Sequence, residues 1–108
     1  LNIDYLTLRV DPLNKSAINS YLKNGFVVVG SRCKIIEGSN VVTLAMTKNL
    51  KGDFMRHGDD ESQSIIVDDY AAIDTLTKEG WVGISTNKIE NKSNLILVRG
   101  GSDYRHWS

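Results

Sequence analysis

The sequence has few of the residues that make disulfides, metal sites and sharp chain breaks: one cysteine, one proline and two histidines, with no net charge. Cys33 has no partner for an internal disulfide, so we expect a reducing, cytoplasmic environment. His57 and His106 lack the clustered cysteines of a zinc site. No apolar run approaches the roughly 20 residues that cross a bilayer, and no signal-peptide pattern is present, although the chain begins with Leu1. These absences exclude a disulfide scaffold and predict neither a metal nor a membrane partner.

Signatures of catalysis are also missing. The sequence has no phosphate-binding glycine-rich loop followed by Lys and Ser or Thr, and no dinucleotide fingerprint after a strand. Cys33 has no histidine near it in the sequence that would activate its thiol. The paired carboxylates Asp68 and Asp69 are explained by the start of a helix, where acidic side chains are favoured. We therefore expect a protein that is not an enzyme and that uses no cofactor.

The most informative feature present is an internal repeat. Segment 17–27 returns 55 residues later as segment 72–82. With one residue deleted, segment 38–44 then aligns with segment 92–98. A repeat of this length predicts two copies of one supersecondary unit. A duplicated surface also favours a ligand that itself repeats.

Each copy is expected to contain a strand, a helix and two further strands. Alternating apolar residues and β-branched or aromatic runs indicate the strands, and the polar stretches between them are expected as hairpin tips. Gly25 and Gly80 stand where a left-handed residue would end a helix. The predicted strands are 3–10, 26–29 and 40–46 in the first copy and 64–67, 81–84 and 94–99 in the second. The predicted fold is therefore α+β, with duplicated β-α-β-β units that form a mainly antiparallel sheet and two helices on one face.

The beginnings of the helices are predicted from capping residues. Asp11 is expected to cap the first helix, with Pro12 in the first helical position and Leu13 on the face toward the sheet. Asp68 or Asp69 is expected to cap the second helix in the same way.

The repeat also predicts the organisation of the chain. We expect a single domain over 1–108 that consists of unit 1–47, linker 48–62, unit 63–99 and tail 100–108. The linker holds two large apolar side chains, Phe54 and Met55, in polar surroundings. These either fill the gap between the units or belong to a strap laid on a partner.

Charge is unevenly distributed between the halves. Residues 1–56 contain eight basic and four acidic side chains, a net charge of +4. Residues 57–108 contain five basic and nine acidic side chains, a net charge of −4. This asymmetry permits a basic face for an anionic partner, whereas the neutral total argues against strong indiscriminate binding to nucleic acid.

The two hairpins carry the residues best suited to contact nucleic acid. A two-stranded ribbon is narrow enough to enter a DNA groove. Its Lys and Arg side chains neutralise phosphates, and its Asn side chains reach base edges. Any soluble hairpin tip would show a similar polar composition, which is the alternative interpretation. The candidates are Arg32, Lys34 and Asn40 in the first hairpin and Asn87, Lys88, Asn91, Lys92 and Asn94 in the second.

The order of these elements resembles a known family. It looks like the double-wing DNA-binding domain at the C-terminus of the MotA-type middle-transcription activators of T-even phages. The closest stretches are 22–27 and the run from Ile65 through the second helix to Arg99. The similarity covers roughly residues 13–99.

The resemblance implies how double-stranded DNA would be bound. Two wings, at 31–40 and 85–94, would approach the minor groove, and the linker would follow the neighbouring major groove. The linker candidates are Lys48, Lys51 and Arg56. The resemblance does not extend to the helical domain through which those activators contact RNA polymerase, and the strand at 3–10 is an addition. It therefore implies a phage-type regulator or DNA-organising factor in the host cytoplasm rather than an activator.

Two other partners remain open. The neutral charge, the acidic stretch 59–79 and the aromatic residues favour a small phage accessory protein that binds and inhibits a host or defence protein. The strand at 3–10 also offers a sheet edge through which two copies could pair. Both a monomer and a homodimer are therefore allowed.

Overall fold

The computed structural model describes residues 5–50 and 62–99 and shows an α+β fold. The first copy contains β1 (Tyr5–Val10), α1 (Lys15–Lys23), β2 (Val27–Ile36) and β3 (Ser39–Asn49). The second copy contains β4 (Ser62–Ile66), α2 (Tyr70–Lys78), β5 (Trp81–Ile89) and β6 (Lys92–Arg99). Neither helix in these ranges has the length and apolar character needed to span a membrane. The predicted order of strand, helix, strand and strand is confirmed in both copies.

The six strands form one antiparallel sheet in the order β1-β3-β2-β5-β6-β4. The two copies meet at its centre, where Val28 of β2 pairs with Gly83 of β5. These two residues are equivalent in the repeat, so a pseudo-two-fold axis passes between them. Among the described strands, β1 and β4 lie at the two edges, which agrees with the edge position expected for the first strand.

A close approach at this axis requires glycine on one side. A Cβ atom at Gly83 would lie 2.8 Å from the Cδ atoms of Leu95 and 2.9 Å from Val28 Cβ. Val28 is fully buried, and its side chain fills the space that the missing side chain of Gly83 leaves. The register shifts just after this pair on both strands, at Val28/Gly30 and at Gly83/Ser85. The bulges therefore follow the pseudo-symmetry, whereas the side chains on the axis break it.

Each helix begins at an equivalent capping side chain. Asn14 Oδ1 accepts a hydrogen bond from Ala17 N (3.2 Å), and Asp69 Oδ1 accepts one from Ala72 N (3.3 Å). Such a cap satisfies a backbone donor in the first turn that has no intrahelical partner. The cap expected at Asp69 is confirmed.

The cap expected at Asp11 is wrong. Asp11 forms a local turn instead: its Oδ1 accepts from Leu13 N (2.9 Å) and its carbonyl accepts from Asn14 N (3.0 Å). A short carboxylate competes in this way with helix formation at its own position. α1 therefore begins later, at Lys15. Pro12 belongs to the turn, and Leu13 is 68% exposed instead of facing the sheet.

Gly25 and Gly80 follow the helices, as expected. Their φ angles are +92° and +98°, in the left-handed region that glycine enters at the least steric cost. After Gly25 the chain reverses, and the ring of Phe26 meets the ring of Tyr21 edge-on with 5.6 Å between centroids. The helix ends are thus fixed by local chemistry.

The main hydrophobic core lies between the helices and one face of the sheet. Ile18 of α1 and Ile73 of α2 are almost fully buried in it. The buried strand residues that join them are Val10, Val28, Leu44, Met46, Trp81, Leu95 and Leu97. A second, smaller cluster contains Val27, Val29, Val82 and Val98. Because side chains alternate along a strand, this second cluster lies on the opposite face, where β2 and β5 meet.

Each helix packs over strands of the other copy. α1 contacts β5, and α2 contacts chiefly β2. Ser31 Oγ of β2 donates to Tyr70 O at the start of α2 (2.6 Å). Thr86 Oγ1 of β5 donates to Asn19 Oδ1 of α1 (2.5 Å). Ser31 and Thr86 are equivalent residues, so the two copies hold each other's helices reciprocally and share one core.

Two β-ribbons extend from the centre of the sheet in opposite directions, because β2 and β5 are antiparallel there. The polar stretches expected as hairpin tips are in fact paired strands. β2 stays paired with β3 as far as Ile36 and Ser39, and β5 stays paired with β6 as far as Ile89 and Lys92. Only two residues form each turn, and all of them have positive φ, as in type I′ turns. The turn residues are Glu37-Gly38 and Glu90-Asn91.

We call the first ribbon, residues 31–44, wing 1 and the second, residues 86–95, wing 2. The equivalent residues Ser31 and Thr86 pair with Leu44 and Leu95, so wing 1 is four residues longer, two on each strand. The single deletion expected from the sequence is therefore wrong. β6 is apolar on both faces over 95–98, so its sequence matches β3 in several registers, and only the pairing selects the correct one.

The predicted linker is shorter than expected at both ends. β3 runs to Asn49 and β4 begins at Ser62. Lys48 therefore lies in a strand, where it pairs with Leu6 of β1. The predicted Phe54, Met55 and tail 100–108 lie outside the described residues.

Candidate nucleic-acid interface and groove

Wing 1 presents its two cations on the face of the sheet that points away from the helices. Leu44 packs in the helix-side core, and alternation along the ribbon turns Arg32 and Lys34 to the other face. Both side chains are exposed. Arg9 of β1, exposed as well, shares that face through its register with β3. The first half of the sheet therefore carries three cations on one surface.

The tips of both wings are apolar and acidic rather than basic. In each wing the outgoing strand ends in an exposed isoleucine, which a glutamate follows in the turn: Ile36-Glu37 and Ile89-Glu90. Asn40 is exposed beside the first tip. The exposed apolar side chains of wing 1 are Ile35 (75%), Ile36 (52%) and Val41 (40%). Arg32, Lys34 and Lys88 lie on the paired strands behind the tips, whereas Lys92 pairs with Ile89 directly beside the second turn. An anionic partner would therefore meet chiefly the strands behind the tips, which we call the arms.

Four of the five predicted residues of wing 2 are exposed: Asn87, Lys88, Asn91 and Lys92. Asn94 is different, because it is only 8% exposed and its Nδ2 donates to Lys92 O (3.1 Å). A buried amide is satisfied by such a bond. Asn94 therefore supports the shape of the ribbon and does not present its side chain to a partner.

Of the linker residues expected to contact DNA, Lys48 is the one that the structure describes, and it is not brought to the wings. Lys48 is half-buried at the end of β3 that lies farthest from the wing tip. Lys51 and Arg56 lie outside the described residues.

A groove of about 340 Å³ separates wing 2 from α1. Its apolar lining residues are Ile18 and Val67, both nearly fully buried. The groove exists because α1 packs over the base of β5, while the arm of wing 2 continues past the helix. Its polar lining residues are Lys15, Asn19, Thr86, Asn87, Lys88 and Ser93.

Next to the groove lies a hollow of about 350 Å³. The two cavities share Lys15, Val67 and Ser93. The hollow adds Lys92 and the one carboxylate in the two linings, that of Asp68. Three lysines therefore face one acidic side chain over the combined surface.

The cations of the groove and the hollow are not neutralised by the residues that the structure describes. Within residues 5–50 and 62–99, none of Lys15, Lys88 and Lys92 forms an ion pair. The Thr86 hydroxyl donates to Asn19 Oδ1, which leaves the Asn19 Nδ2 group as a donor without an acceptor among the same residues. The groove thus offers ammonium and amide donors and no carboxylate.

The corresponding place in the other half has a different chemistry. On the helix, Tyr70 stands in place of Lys15 and Asp74 in place of Asn19. On the wing, Cys33 stands in place of Lys88 and Val42 in place of Ser93. The two ammonium groups of the groove are thus replaced by an aromatic ring and a thiol, its amide by a carboxylate, and its hydroxyl by an isopropyl group. Asp74 is itself paired with Lys78 (2.9 Å). The fold therefore does not require the donors of the groove.

Sequence reasoning found Lys88 but missed Lys15 and Asn19. These two residues are four apart, so their side chains share one face of α1, and this spacing was a usable signal. What the sequence did not show is that α1 crosses to the second copy and faces wing 2.

Cys33 is a half-buried free thiol on the arm of wing 1, opposite Val42. In the part of the chain that the structure describes, no group of three His, Cys, Asp or Glu side chains is placed to hold a metal ion.

In comparisons with protein-family models, with curated proteins and with solved structures, nothing matches this chain. Its function is therefore argued from the wings and the groove themselves.

Proposed function

We propose that this protein binds double-stranded DNA in the cytoplasm through the arms of its two wings. The observation that supports the proposal is the state of four exposed cations, Arg32, Lys34, Lys88 and Lys92. All four lie on two-stranded ribbons, and none forms an ion pair within the described residues. Unpaired cations on a narrow ribbon are suited to phosphate oxygens on either side of a DNA groove.

The acidic tips determine how the wings meet DNA. Glu37 and Glu90 would oppose phosphates if a tip entered a groove first. Three of the four cations, Arg32, Lys34 and Lys88, lie on the arms instead, so the ribbons lie along the duplex. Asn87 is exposed beside Lys88 and reaches toward a base edge from there. Binding of this kind needs neither a cofactor nor catalysis.

Salt dependence gives the proposal a quantitative test. Four phosphate contacts predict a slope of about −3.6 for log affinity against log salt. The measurement is fluorescence anisotropy of a labelled duplex of about 20 base pairs between 50 and 200 mM salt. The double variants Arg32→Ala/Lys34→Ala and Lys88→Ala/Lys92→Ala each remove two contacts, so each should reduce the slope by about 2.

A matched control removes two cations elsewhere. Lys23 and Lys78 lie in the last turns of the two helices, away from the arms. Lys23→Ala/Lys78→Ala should leave the slope of the native protein. Absence of binding at 50 mM salt, or an unchanged slope in both wing variants, would overturn the proposal.

A second candidate function is supported by the tip of wing 1. Ile35, Ile36 and Val41 are exposed apolar side chains near this tip, with Glu37 beside them, and such residues suit a protein surface better than a polyanion. This candidate is an accessory protein that inhibits a host protein. A pull-down after nuclease treatment separates the two: a partner retained by the native protein and lost by Ile35→Ser/Ile36→Ser supports the protein interaction, and a partner lost on nuclease treatment supports DNA.

A further inference from the structure

The groove between α1 and wing 2 has the lining of a ligand site. Its polar side chains come from three separate parts of the chain: α1, β5 and β6. Their common property is that they can donate hydrogen bonds. Lys15 and Lys88 are ammonium groups without an ion pair among the described residues, and Asn19 directs its Nδ2 group away from Thr86.

The charge of the lining selects an anion. The residues around the groove contain two lysines and no Asp or Glu. A phosphate group carries about −1.5 to −2 charges and three acceptor oxygens at neutral pH. It therefore matches two ammonium groups and the amide donor of Asn19, whereas a carboxylate has only two oxygens and one charge.

The size and the apolar residues of the groove select the rest of the ligand. The volume of about 340 Å³ lies at the lower end of the roughly 300–1,000 Å³ of small-molecule sites. Ile18 and Val67, both nearly fully buried, close the apolar floor of the groove. A small organic phosphate with a ring fits both parts of the lining.

The other half of the molecule provides an internal comparison. At the equivalent place Asp74 replaces the amide and Tyr70 replaces the first lysine. Tyr70 O there accepts the hydroxyl of Ser31 at 2.6 Å. The same backbone thus forms with acidic and apolar residues at these positions. The fold therefore does not require the hydrogen-bond donors of the groove.

We propose that the groove between α1 and wing 2 binds a nucleoside monophosphate, with the phosphate between Lys15 and Lys88 and the base in the remaining space above the apolar floor. This site goes beyond duplex binding by the wings: it shares Lys88 with wing 2, whereas Lys15 and Asn19 lie on α1 and have no part in the duplex proposal. The bound nucleotide is either free or the phosphorylated end of a single strand. Both sources present the same chemistry to the groove.

The test uses AMP as the probe and follows the side-chain amide signals of Asn19 and Asn87 by NMR. Titration with AMP should shift both signals, while adenosine, which lacks the phosphate, should bind at least tenfold more weakly. Lys15→Ala removes one charge-assisted hydrogen bond and should weaken AMP binding about tenfold to a hundredfold. Lys15→Tyr, which installs the residue of the other half, should have an effect at least as large.

The controls separate this site from the wings and from misfolding. Lys23→Ala removes an exposed cation of the same helix and should bind AMP like the native protein. Arg32→Ala/Lys34→Ala should also keep AMP binding, even if it loses duplex binding. Lys15 is exposed, so its variants should retain the amide spectrum of the folded protein outside the groove, and Lys15→Arg should recover binding.

The sources are distinguished with a 5′-phosphorylated single-stranded oligonucleotide. Binding tighter than that of AMP and weakened by Lys15→Ala assigns the site to a strand end, whereas binding of AMP alone assigns it to a free nucleotide. Equal binding of AMP and adenosine, unchanged binding in Lys15→Ala, or no shift of either amide at millimolar AMP would overturn the proposal. Loss of duplex binding with retained AMP binding would overturn only the wing hypothesis.

Discussion

The two copies of the repeat share a backbone and differ in what lies between helix and wing. On the side of α2, equivalent positions carry Tyr70 and Asp74, and the helix is fastened to wing 1 through Ser31. On the side of α1, they carry Lys15 and Asn19; Asn19 accepts the Thr86 hydroxyl of wing 2, and a groove lies open beside this bond. Both helices are thus bonded to a wing, but only the side of α1 leaves lysine and amide donors in an open groove. The two sides can differ in this way because both copies contribute equivalent residues to the core, which leaves the surface residues of each copy free to change.

The largest expected difference between the copies concerns their central core residues. Ile73→Ala should lower the free energy of unfolding by about 3–5 kcal/mol, and Ile18→Ala by about 2–3 kcal/mol. Ile18 lines the groove, so neighbouring side chains and water can fill part of the space that its truncation leaves. Ile73 is fully buried in α2, which contacts β2, β3 and β5. Urea unfolding measures both values, and a larger loss for Ile18→Ala would contradict this account of the groove.

A smaller effect is expected on the pseudo-two-fold axis. Gly83→Ala should destabilise the protein by about 1–3 kcal/mol, because the added Cβ would meet Leu95 and Val28 at less than 3 Å. Gly30→Ala is the control, since a Cβ atom there would be 3.8 Å from Ala45 Cβ, an ordinary contact. Equal denaturation midpoints for the two variants would show that the axis tolerates a side chain on both strands.

The smallest difference should be between the helix caps. Asn14→Ala and Asp69→Ala each remove a cap on an equivalent backbone donor and should each cost about 1 kcal/mol. Asn40→Ala, at an exposed position on wing 1, serves as the control and should leave the unfolding free energy unchanged. If only one cap variant lost stability in thermal unfolding, the two copies would differ in the local stability of their helices as well as in their surfaces.

The local parts of the fold could be predicted from the sequence. Gly25, Gly80 and Asp69 act through their own conformational preferences and through neighbours within one turn, so their roles are legible in the chain. Asp11 shows the limit of this reasoning, because its carboxylate accepts from Leu13 N and its carbonyl from Asn14 N, so that a local turn forms in place of the helix cap.

The long-range parts could not be predicted. That each helix packs on the other copy depends on pairing of β2 with β5 through one residue pair, for which no local pattern exists. The lengths of the wings were hidden for a similar reason, since the apolar residues 95–98 match β3 in more than one register. The groove follows from both features, and Lys15 and Asn19 were missed as a result.

The unequal wings have one more consequence, which concerns direction. Two extra residues on each strand extend wing 1 by about 6–7 Å relative to wing 2. A body with a true two-fold axis fits a palindromic partner equally well after half a turn. This molecule does not fit such a partner after half a turn, because the longer wing 1 and the shorter wing 2 would then exchange places. A partner that contacts both wings can therefore bind in one orientation only, and the protein distinguishes the two ends of that partner.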